Sequence, residues 1–187
     1  MGKIFISADE LLQDSFRLAL KIFESGYRPS FIVGVWRGGA PIGIAVQELL
    51  EALECPADHI AVRTSSYGGG TVQDKTVKVF GLEHLIQHIN RDDKLLIVDD
   101  TFDSGRSIAA IIDKLKTQCR LNTPEDIRIA TVYFKPTLNT TDRVPDFYMY
   151  QTDKWLVFPH ELRGCTKDEL LSRKSLPEEL HKYLKDF

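Results

Sequence analysis

Residues 95–107 read LLIVDDTFDSGRS, and this stretch decides the fold class of the chain. Its first four residues are apolar and uncharged, which predicts a buried strand, and two carboxylates follow directly. Ser104 and Gly105 predict a tight turn, and apolar residues recur at helical spacing from Ile108 onward. A buried strand, a turn and a helix in this order are the repeating unit of α/β proteins with a parallel sheet.

The same alternation of strand and helix runs through the first two-thirds of the chain. Strands are predicted at residues 31–36, 60–64, 77–80, 94–98 and 127–134, with shorter β candidates at 147–150 and 155–158. The first helix begins at a capping box formed by Ser7 and Glu10, and Gly26 is placed to end it. We therefore expect one α/β domain over residues 1–187, with a mainly parallel twisted sheet flanked by helices.

Composition narrows the class of protein further. The chain carries 24 basic and 27 acidic residues and no basic stripe, which argues against nucleic acid as a partner. No stretch approaches the ~18 apolar residues of a membrane span, and the amino terminus lacks the apolar core of a signal peptide. Cys55, Cys119 and Cys165 form no CxxC pair, which favours buried or incidental thiols in a reducing cytoplasm.

The 95–107 stretch also has the chemistry of a sugar-phosphate site. A turn that enters a helix amino terminus offers unpaired N–H groups and the positive end of a dipole, which together bind phosphate. Gly105 lets the backbone close around the phosphate, and the hydroxyls of Ser104 and Ser107 add hydrogen bonds. Asp99 and Asp100 suit ribose hydroxyls and a hard cation such as Mg²⁺. The alternative is an acidic loop that only caps a helix.

The segment VDDTFDSGRS, residues 98–107, resembles the signature with which type I phosphoribosyltransferases bind phosphoribosyl pyrophosphate (PRPP). Every defined position of that signature matches. The resemblance implies a type I phosphoribosyltransferase-like fold with its core at about residues 28–135 and a small hood formed by the chain ends, from about 1–25 and 136–187. It also implies that PRPP and its phosphate are bound by Asp99, Asp100, Thr101, Asp103, Ser104, Gly105, Arg106 and Ser107.

Two further segments are similar to parts of the same family. Residues 33–39 resemble its pyrophosphate-binding loop, which implies that Arg37 and Gly38 meet pyrophosphate and that the Trp36–Arg37 peptide is cis. Taken alone, that segment could also be a plain glycine turn. Ser66 and Tyr67, followed by three glycines at residues 68–70, resemble the flexible lid of the family, although a hairpin tip would have the same sequence.

Residues 133–161 resemble the 6-oxopurine branch of the family. In that branch a lysine donates to the purine O6, an aromatic ring stacks on the base and backbone groups read its edge, which implies these roles for Lys135, Trp155 and Leu156. A 6-oxo group is an acceptor and therefore suits an ammonium. Glu161 matches an acid that helps to hold Mg²⁺, together with Asp99 and Asp100. The alternatives are a solvated surface lysine at Lys135 and a simple core residue at Trp155.

The resemblance implies a purine-salvage enzyme of the glycosyltransferase class. It would transfer ribose 5-phosphate from PRPP to a 6-oxopurine base, with hypoxanthine and guanine favoured, and release a purine mononucleotide and pyrophosphate. Asp103 is the candidate base, and Arg37 stabilises the leaving pyrophosphate. The cofactor is Mg²⁺, and a homo-oligomer, either a dimer or a tetramer, is expected. A xanthine-preferring enzyme and a non-catalytic sensor of PRPP or nucleotide are the alternatives.

Overall fold

The structure, a computed structural model, describes residues 2–67 and 76–186. The predicted loop at residues 68–70 lies outside these residues. The helices and strands are β1 (Lys3–Phe5), α1 (Ala8–Glu24), β2 (Phe31–Trp36), α2 (Gly39–Ala52), β3 (Asp58–Tyr67), β4 (Thr76–Phe80), α3 (Glu83–His88), β5 (Lys94–Phe102), α4 (Arg106–Cys119), β6 (Asp126–Phe134), β7 (Phe147–Gln151), β8 (Trp155–Val157) and α5 (Lys167–Arg173). Short 3₁₀ helices occur at Arg120–Asn122, Pro136–Leu138 and Glu178–Asp186.

Six strands form the main sheet in the order β4-β3-β2-β5-β6-β7. All neighbouring strands in it are parallel except β3 and β4, which are antiparallel. The predicted α/β class with a mainly parallel sheet is therefore confirmed. Strand β5 lies at the centre, so the 95–107 stretch enters the middle of the carboxyl edge of the sheet, where α/β proteins bind their ligands.

Two strands extend further than the sequence pattern predicted. Strand β5 continues beyond Val98 to Phe102, because β6 supplies a partner along that length even though β2 pairs with β5 only as far as Val98. Strand β3 continues to Tyr67, because the antiparallel β4 pairs with residues 63–67. In both strands the predicted end lay where polar residues interrupt the apolar pattern. The strands continue because hydrogen bonds between backbones do not depend on the type of side chain.

Helices cover the sheet from both faces. Val33, Val35 and Ile97 belong to a buried cluster that also contains Ile108 and Ile112 of α4. Since successive side chains of a strand alternate between faces, Gly34 points to the opposite face, where α2 approaches closely. A Cβ atom on Gly43 of α2 would lie 3.3 Å from the Cα of Gly34. These two glycines therefore let α2 pack directly on β2.

The first helix begins as the sequence predicted. The Ser7 N–H donates to Glu10 Oε2 at 2.8 Å and the Glu10 N–H donates to Ser7 Oγ at 3.2 Å, which confirms the capping box. After the helix, Gly26 has a φ of 80°, a left-handed conformation that favours glycine. The three cysteines are buried and free, as predicted. None of the helices within the described residues is long and apolar enough to span a membrane.

The chain divides into two compact units, residues 12–153 and a smaller unit of residues 1–11 and 154–187. In the smaller unit β1 pairs in parallel with β8, and Val157, Cys165, Leu170 and Leu184 form the core. Lys3 Nζ lies 2.6 Å from Glu169 Oε2, and Thr166 and Glu169 cap α5 with a capping box. The assignment of a core at residues 28–135 and a hood at the chain ends stays a prediction.

Candidate active site

The turn after β2 lies directly against the acidic end of β5. A Cβ atom on Gly39 would lie 2.4 Å from the carbonyl oxygen of Val98 and 2.8 Å from the Cα of Asp99. A Cβ atom on Gly38 would lie 1.8 Å from Asp100 Oδ2. Only glycine permits such a close approach. The structure therefore brings the predicted pyrophosphate loop and the predicted ribose acids together.

The Trp36–Arg37 peptide bond at the start of this turn is cis, as the family resemblance implied. Arg37 itself is exposed, and Gly38 is partly buried beside Asp100.

Asp99 and Asp100 form a strained electrostatic pair at the end of β5. Burial raises the pKa of the Asp99 carboxyl well above its ordinary value, and the neighbouring charge of Asp100 raises it further. The Asp100 N–H donates to Asp99 Oδ1 at 2.9 Å, which fixes the orientation of the Asp99 side chain. Two carboxylates held this close favour any cation that can neutralise them, and a hard, oxygen-seeking cation most of all.

A small, open pocket lies beside this pair, at the amino terminus of α4. Its lining residues are Asp99, Thr101, Phe102, Asp103, Ser104, Gly105, Ser107 and Ile108. Gly105 precedes the first residue of α4 with a φ of 75°, and no side chain caps the helix. The N-cap residue Gly105 has no side chain with which to cap α4, so the start of this helix faces the pocket and suits an anion.

Lys135 follows β6 and turns toward the same edge of the sheet. Its N–H donates to the carbonyl of Phe102 at 2.9 Å, and its Nζ lies 4.0 Å from Asp103 Oδ2. The side chain of Lys135 is only 13% exposed, whereas that of Asp103 is 52% exposed. The alternative of a solvated surface lysine is therefore wrong. A sheltered ammonium opposite an accessible carboxylate is suited to a ligand that offers both an acceptor and a proton.

Trp155, Leu156 and Glu161 belong to the smaller unit. Trp155 is 61% exposed, so the alternative of a simple core tryptophan is wrong. Leu156 is buried within the β1–β8 pair. Glu161 Oε2 accepts a hydrogen bond from the Phe158 N–H at 3.2 Å, which holds the carboxylate over its own turn.

The remaining predicted residues lie around the pocket or in β3. Arg106 opens α4 and is partly buried. Ser66 and Tyr67 end β3, where their backbones pair with Val77 and Thr76, and their side chains lie outside the described residues. The lid assignment thus stays a prediction.

His84 and His88 of α3 are spaced like a metal-binding pair, but both rings make local contacts. His84 Nε2 lies 2.6 Å from Asp58 Oδ2, and His88 Nδ1 lies 2.8 Å from the His84 carbonyl oxygen.

Sequence reasoning missed three residues: Phe102 and Ile108, which line the pocket, and Thr140, which contacts its turn. Phe102 and Ile108 form the apolar wall of the pocket, and from the sequence Ile108 was assigned only to the apolar face of a helix. Thr140 contacts the pocket turn, since its N–H and its Oγ1 each lie 3.1 Å from the carbonyl oxygen of Ser104.

Fold and site together define an α/β protein with an acidic pair, a glycine turn and an open helix amino terminus at the centre of its sheet edge. The model of the phosphoribosyl transferase domain family matches residues 7–163. The chain therefore belongs to the phosphoribosyltransferase family.

Individual relatives agree with this assignment. The chain is 27% identical over 152 residues to the hypoxanthine-guanine phosphoribosyltransferase of Streptococcus mutans, a match that covers 80% of this chain and 78% of that protein. It is 29% identical over 136 residues, 72% of its length, to the bifunctional protein TilS/HprT of Listeria innocua. The chain spans only about a fifth of that relative, 19% of its length.

Solved structures show the same fold. The purine phosphoribosyltransferase of Pyrococcus horikoshii superposes with a TM-score of 0.70 at 26% identity, over 88% of this chain and 97% of that one. The xanthine-guanine-hypoxanthine phosphoribosyltransferase of Helicobacter pylori superposes with a TM-score of 0.62 at 20% identity, over 84% of this chain and 92% of that one.

The contact between the glycine turn and β5 predicts losses of stability of different size for two similar substitutions. Gly39→Ala should lower the free energy of unfolding by about 1–3 kcal/mol, because its Cβ meets backbone atoms that cannot move away. Gly38→Ala should cost less stability, since it meets the Asp100 carboxylate, which can turn aside. Urea denaturation of both variants measures the difference, and equal losses would contradict this account.

The raised pKa of Asp99 predicts a pH-dependent gain in stability for Asp99→Asn. The folded protein holds the Asp99 proton to higher pH than the unfolded chain does, so stability is lost as the pH rises through the folded pKa. Asparagine removes the charge and keeps the acceptor for the Asp100 N–H. In magnesium-free buffer the variant should melt higher than the wild type near pH 7, and the gap should close toward pH 4.

Asp58→Asn is the control of opposite sign. A hydrogen bond from His84 lowers the pKa of the Asp58 carboxyl, so its contribution to stability is present at neutral pH and is lost as the pH falls. This variant should therefore melt lower than the wild type near pH 7. A gain for Asp99→Asn that does not vary with pH would refute the electrostatic explanation.

Proposed function

We propose that this protein catalyses the Mg²⁺-dependent transfer of ribose 5-phosphate from PRPP to a 6-oxopurine base, with hypoxanthine and guanine favoured. The products are a purine mononucleotide and pyrophosphate, as in purine salvage in the cytoplasm. One observation carries the proposal: a single pocket is lined both by Asp99, the first acid of the Asp99–Asp100 pair, and by Ser104, Gly105 and Ser107 of the turn that follows. Carboxylates suit the ribose hydroxyls, and the turn suits the 5′-phosphate.

The two ends of PRPP are assigned to two turns of the sheet edge. The 5′-phosphate binds the N–H groups of Gly105, Arg106 and Ser107 and the hydroxyls of Thr101 and Ser104. The pyrophosphate binds Arg37 and the backbone of Gly38. The contact between Gly38 and Asp100 supports this arrangement, because it holds the pyrophosphate turn beside the ribose acids.

The acidic pair fits Mg²⁺. Asp99 and Asp100 provide adjacent carboxylate oxygens, and the raised pKa of Asp99 reflects its burial and the neighbouring charge of Asp100. Among the described residues no three His, Cys, Asp or Glu side chains cluster as a ready-made metal site. We infer that Asp99 and Asp100 contribute two oxygens, with Glu161 as a further candidate, and that PRPP and water supply the rest. When bound, Mg²⁺ neutralises charge on the departing pyrophosphate.

The base is assigned to Lys135, Trp155 and Leu156. Lys135 donates to the 6-oxo oxygen, and its sheltered position supports this role because a buried ammonium gains most from an acceptor. Trp155 stacks on the purine face, for which its exposed ring is available. The backbone of Leu156 reads the edge of the base. The names of relatives such as the Streptococcus mutans protein point to the same class of bases.

The reaction is a displacement at ribose C1 with inversion. The bond from C1 to the pyrophosphate oxygen breaks, the bond from C1 to purine N9 forms, and the purine loses one ring proton. Asp103 accepts that proton, and Lys135, with its Nζ 4.0 Å from Asp103 Oδ2, favours the deprotonated base. Arg37 stabilises charge that develops on pyrophosphate. The segment with Ser66 and Tyr67 closes over the sugar and excludes water.

Nucleotide formation tests this proposal directly. Protein, Mg²⁺ and PRPP are mixed with hypoxanthine, guanine or xanthine, and product is followed spectroscopically. We expect turnover with hypoxanthine and guanine above that with xanthine. A preference for xanthine would favour the alternative enzyme. Binding of PRPP without turnover on any of the three bases would favour a sensor and defeat the catalytic proposal.

Two substitutions should separate base binding from chemistry. Lys135→Ala should raise the KM for the base by about 10- to 100-fold and leave the KM for PRPP nearly unchanged, because a charged hydrogen bond to O6 is lost. Asp103→Ala should lower kcat by about 100-fold through loss of the proton acceptor. Steady-state kinetics in both substrates checks both effects, and a Lys135→Ala effect confined to PRPP would refute the assignment of Lys135.

We also propose that the chain forms a homo-oligomer through the outer face of β2, α2 and β3. Trp36 and Ile44 are 53% and 62% exposed there and line an apolar pocket. The charges on this face are separated, with exposed Glu48 toward the amino ends of the strands and exposed Arg63 beside Trp36 at their carboxyl ends. A second copy related by a two-fold axis would place the acidic end of one face on the basic end of the other.

Ile44→Glu should therefore convert an oligomer into monomers, as measured by size-exclusion chromatography with light scattering. Leu121→Glu is the control, because Leu121 is 87% exposed on a different part of the surface. A monomeric wild type at tens of micromolar, or an Ile44→Glu variant that stays oligomeric, would exclude this face.

A further inference from the structure

The segment between β6 and β7 packs on the turn that we assign to the 5′-phosphate. Residues 136–145 are called the buttress segment here. Thr140 donates to the carbonyl oxygen of Ser104 twice, from its N–H at 3.1 Å and from its Oγ1 at 3.1 Å. A Cβ atom on Gly105 would lie 2.5 Å from Thr141 Oγ1, so the segment also touches the next residue of the turn.

The buttress segment has hydrogen bonds of its own that hold its shape. Asn139 Nδ2 donates to the carbonyl of Arg143 at 2.7 Å, and Asn139 Oδ1 accepts from the Thr141 N–H at 2.9 Å. The Leu138 N–H donates to the carbonyl of Lys135 at 3.2 Å, which ties the start of the segment to the end of β6. The position of Thr140 is thus held by hydrogen bonds within the buttress segment as well as by its contact with Ser104.

The two bonds to one carbonyl fix the plane of the Ser104–Gly105 peptide. In a trans peptide the C=O and the N–H point in opposite directions across a rigid plane. With the Ser104 carbonyl directed at Thr140, the Gly105 N–H is directed away from the buttress segment. Gly105 lines the pocket and lies at the amino terminus of α4.

We propose that Thr140 is a positioning residue, which holds the Ser104–Gly105 peptide in the orientation that presents the Gly105 N–H to the 5′-phosphate. This inference rests on the proposed function. A restraint is needed because glycine populates both signs of φ, so the peptide before Gly105 can rotate at little cost. Rotation would direct a carbonyl oxygen at the phosphate and repel it.

The test compares Thr140→Val, which removes the hydroxyl and keeps the N–H, with Thr140→Ser, which keeps both donors. Thr137→Val is the matched control: Thr137 lies in the same segment, and its Oγ1 donates to Asp153 Oδ1 at 2.6 Å, away from the turn. Titration calorimetry measures the Kd for PRPP with Mg²⁺, for guanosine or inosine monophosphate, and for pyrophosphate. Thermal unfolding is measured alongside.

We expect Thr140→Val to weaken PRPP and mononucleotide binding by about five- to tenfold, the effect of one hydrogen bond. Pyrophosphate binding should not change, because pyrophosphate binds the other turn and lacks the 5′-phosphate. Thr140→Ser should bind like the wild type, and so should Thr137→Val. A merely structural threonine would instead lower the melting temperature and weaken all three ligands together.

Three results would overturn the inference. The first is that Thr140→Val binds the mononucleotide as tightly as the wild type does. The second is that Thr140→Val loses affinity for pyrophosphate in parallel with PRPP. The third is that Thr140→Ser is impaired as much as Thr140→Val. Each of these defeats the role of Thr140 alone, provided that the wild type binds PRPP. A wild-type protein that binds neither PRPP nor mononucleotide defeats the proposed function and this inference together.

Discussion

The unequal pairing of β5 is the constraint on which the rest of the site depends. Strand β2 accompanies β5 only to Val98, whereas β6 accompanies it to Phe102. One edge of β5 is therefore open over the residues that carry the acidic pair. The turn after β2 occupies the start of that gap, and it approaches so closely that a Cβ atom on Gly39 would collide with the backbone of β5. The backbone pairing of β5 thus leaves a gap at the sheet edge, and the carboxylates of Asp99 and Asp100 give that gap its chemical character.

The electrostatics of the site follow from that geometry. Because it is buried and lies beside the charge of Asp100, Asp99 holds its proton more tightly than an ordinary aspartate. A positive charge lies along the same edge in Lys135, whose Nζ is 4.0 Å from Asp103 Oδ2, and the amino terminus of α4 adds the positive end of a helix dipole. Negative and positive groups therefore alternate along the sheet edge, an order that matches a ligand with hydroxyls, phosphates and an acceptor base.

Much of this arrangement could be predicted from the sequence, for reasons that particular residues show. Residues 95–98 and 31–35 are apolar and buried, so local pattern was sufficient for β5 and β2. Residues 99–102 were expected to leave the strand because Asp99 and Asp100 are polar, yet backbone pairing with β6 continues regardless of side-chain type. The contact of Thr140 with Ser104 joins residues 36 positions apart, and nothing local to either residue encodes it.

The chain contains only two tryptophans, and each is more than half exposed to solvent. Trp36 precedes the glycine turn, and Trp155 lies in the segment that resembles the base-binding region. Indole emission shifts to shorter wavelength and changes in intensity when water is displaced from the ring. Trp36 adjoins the glycine turn, so binding beside that turn can be followed optically without a label, while Trp155 reports on the smaller unit.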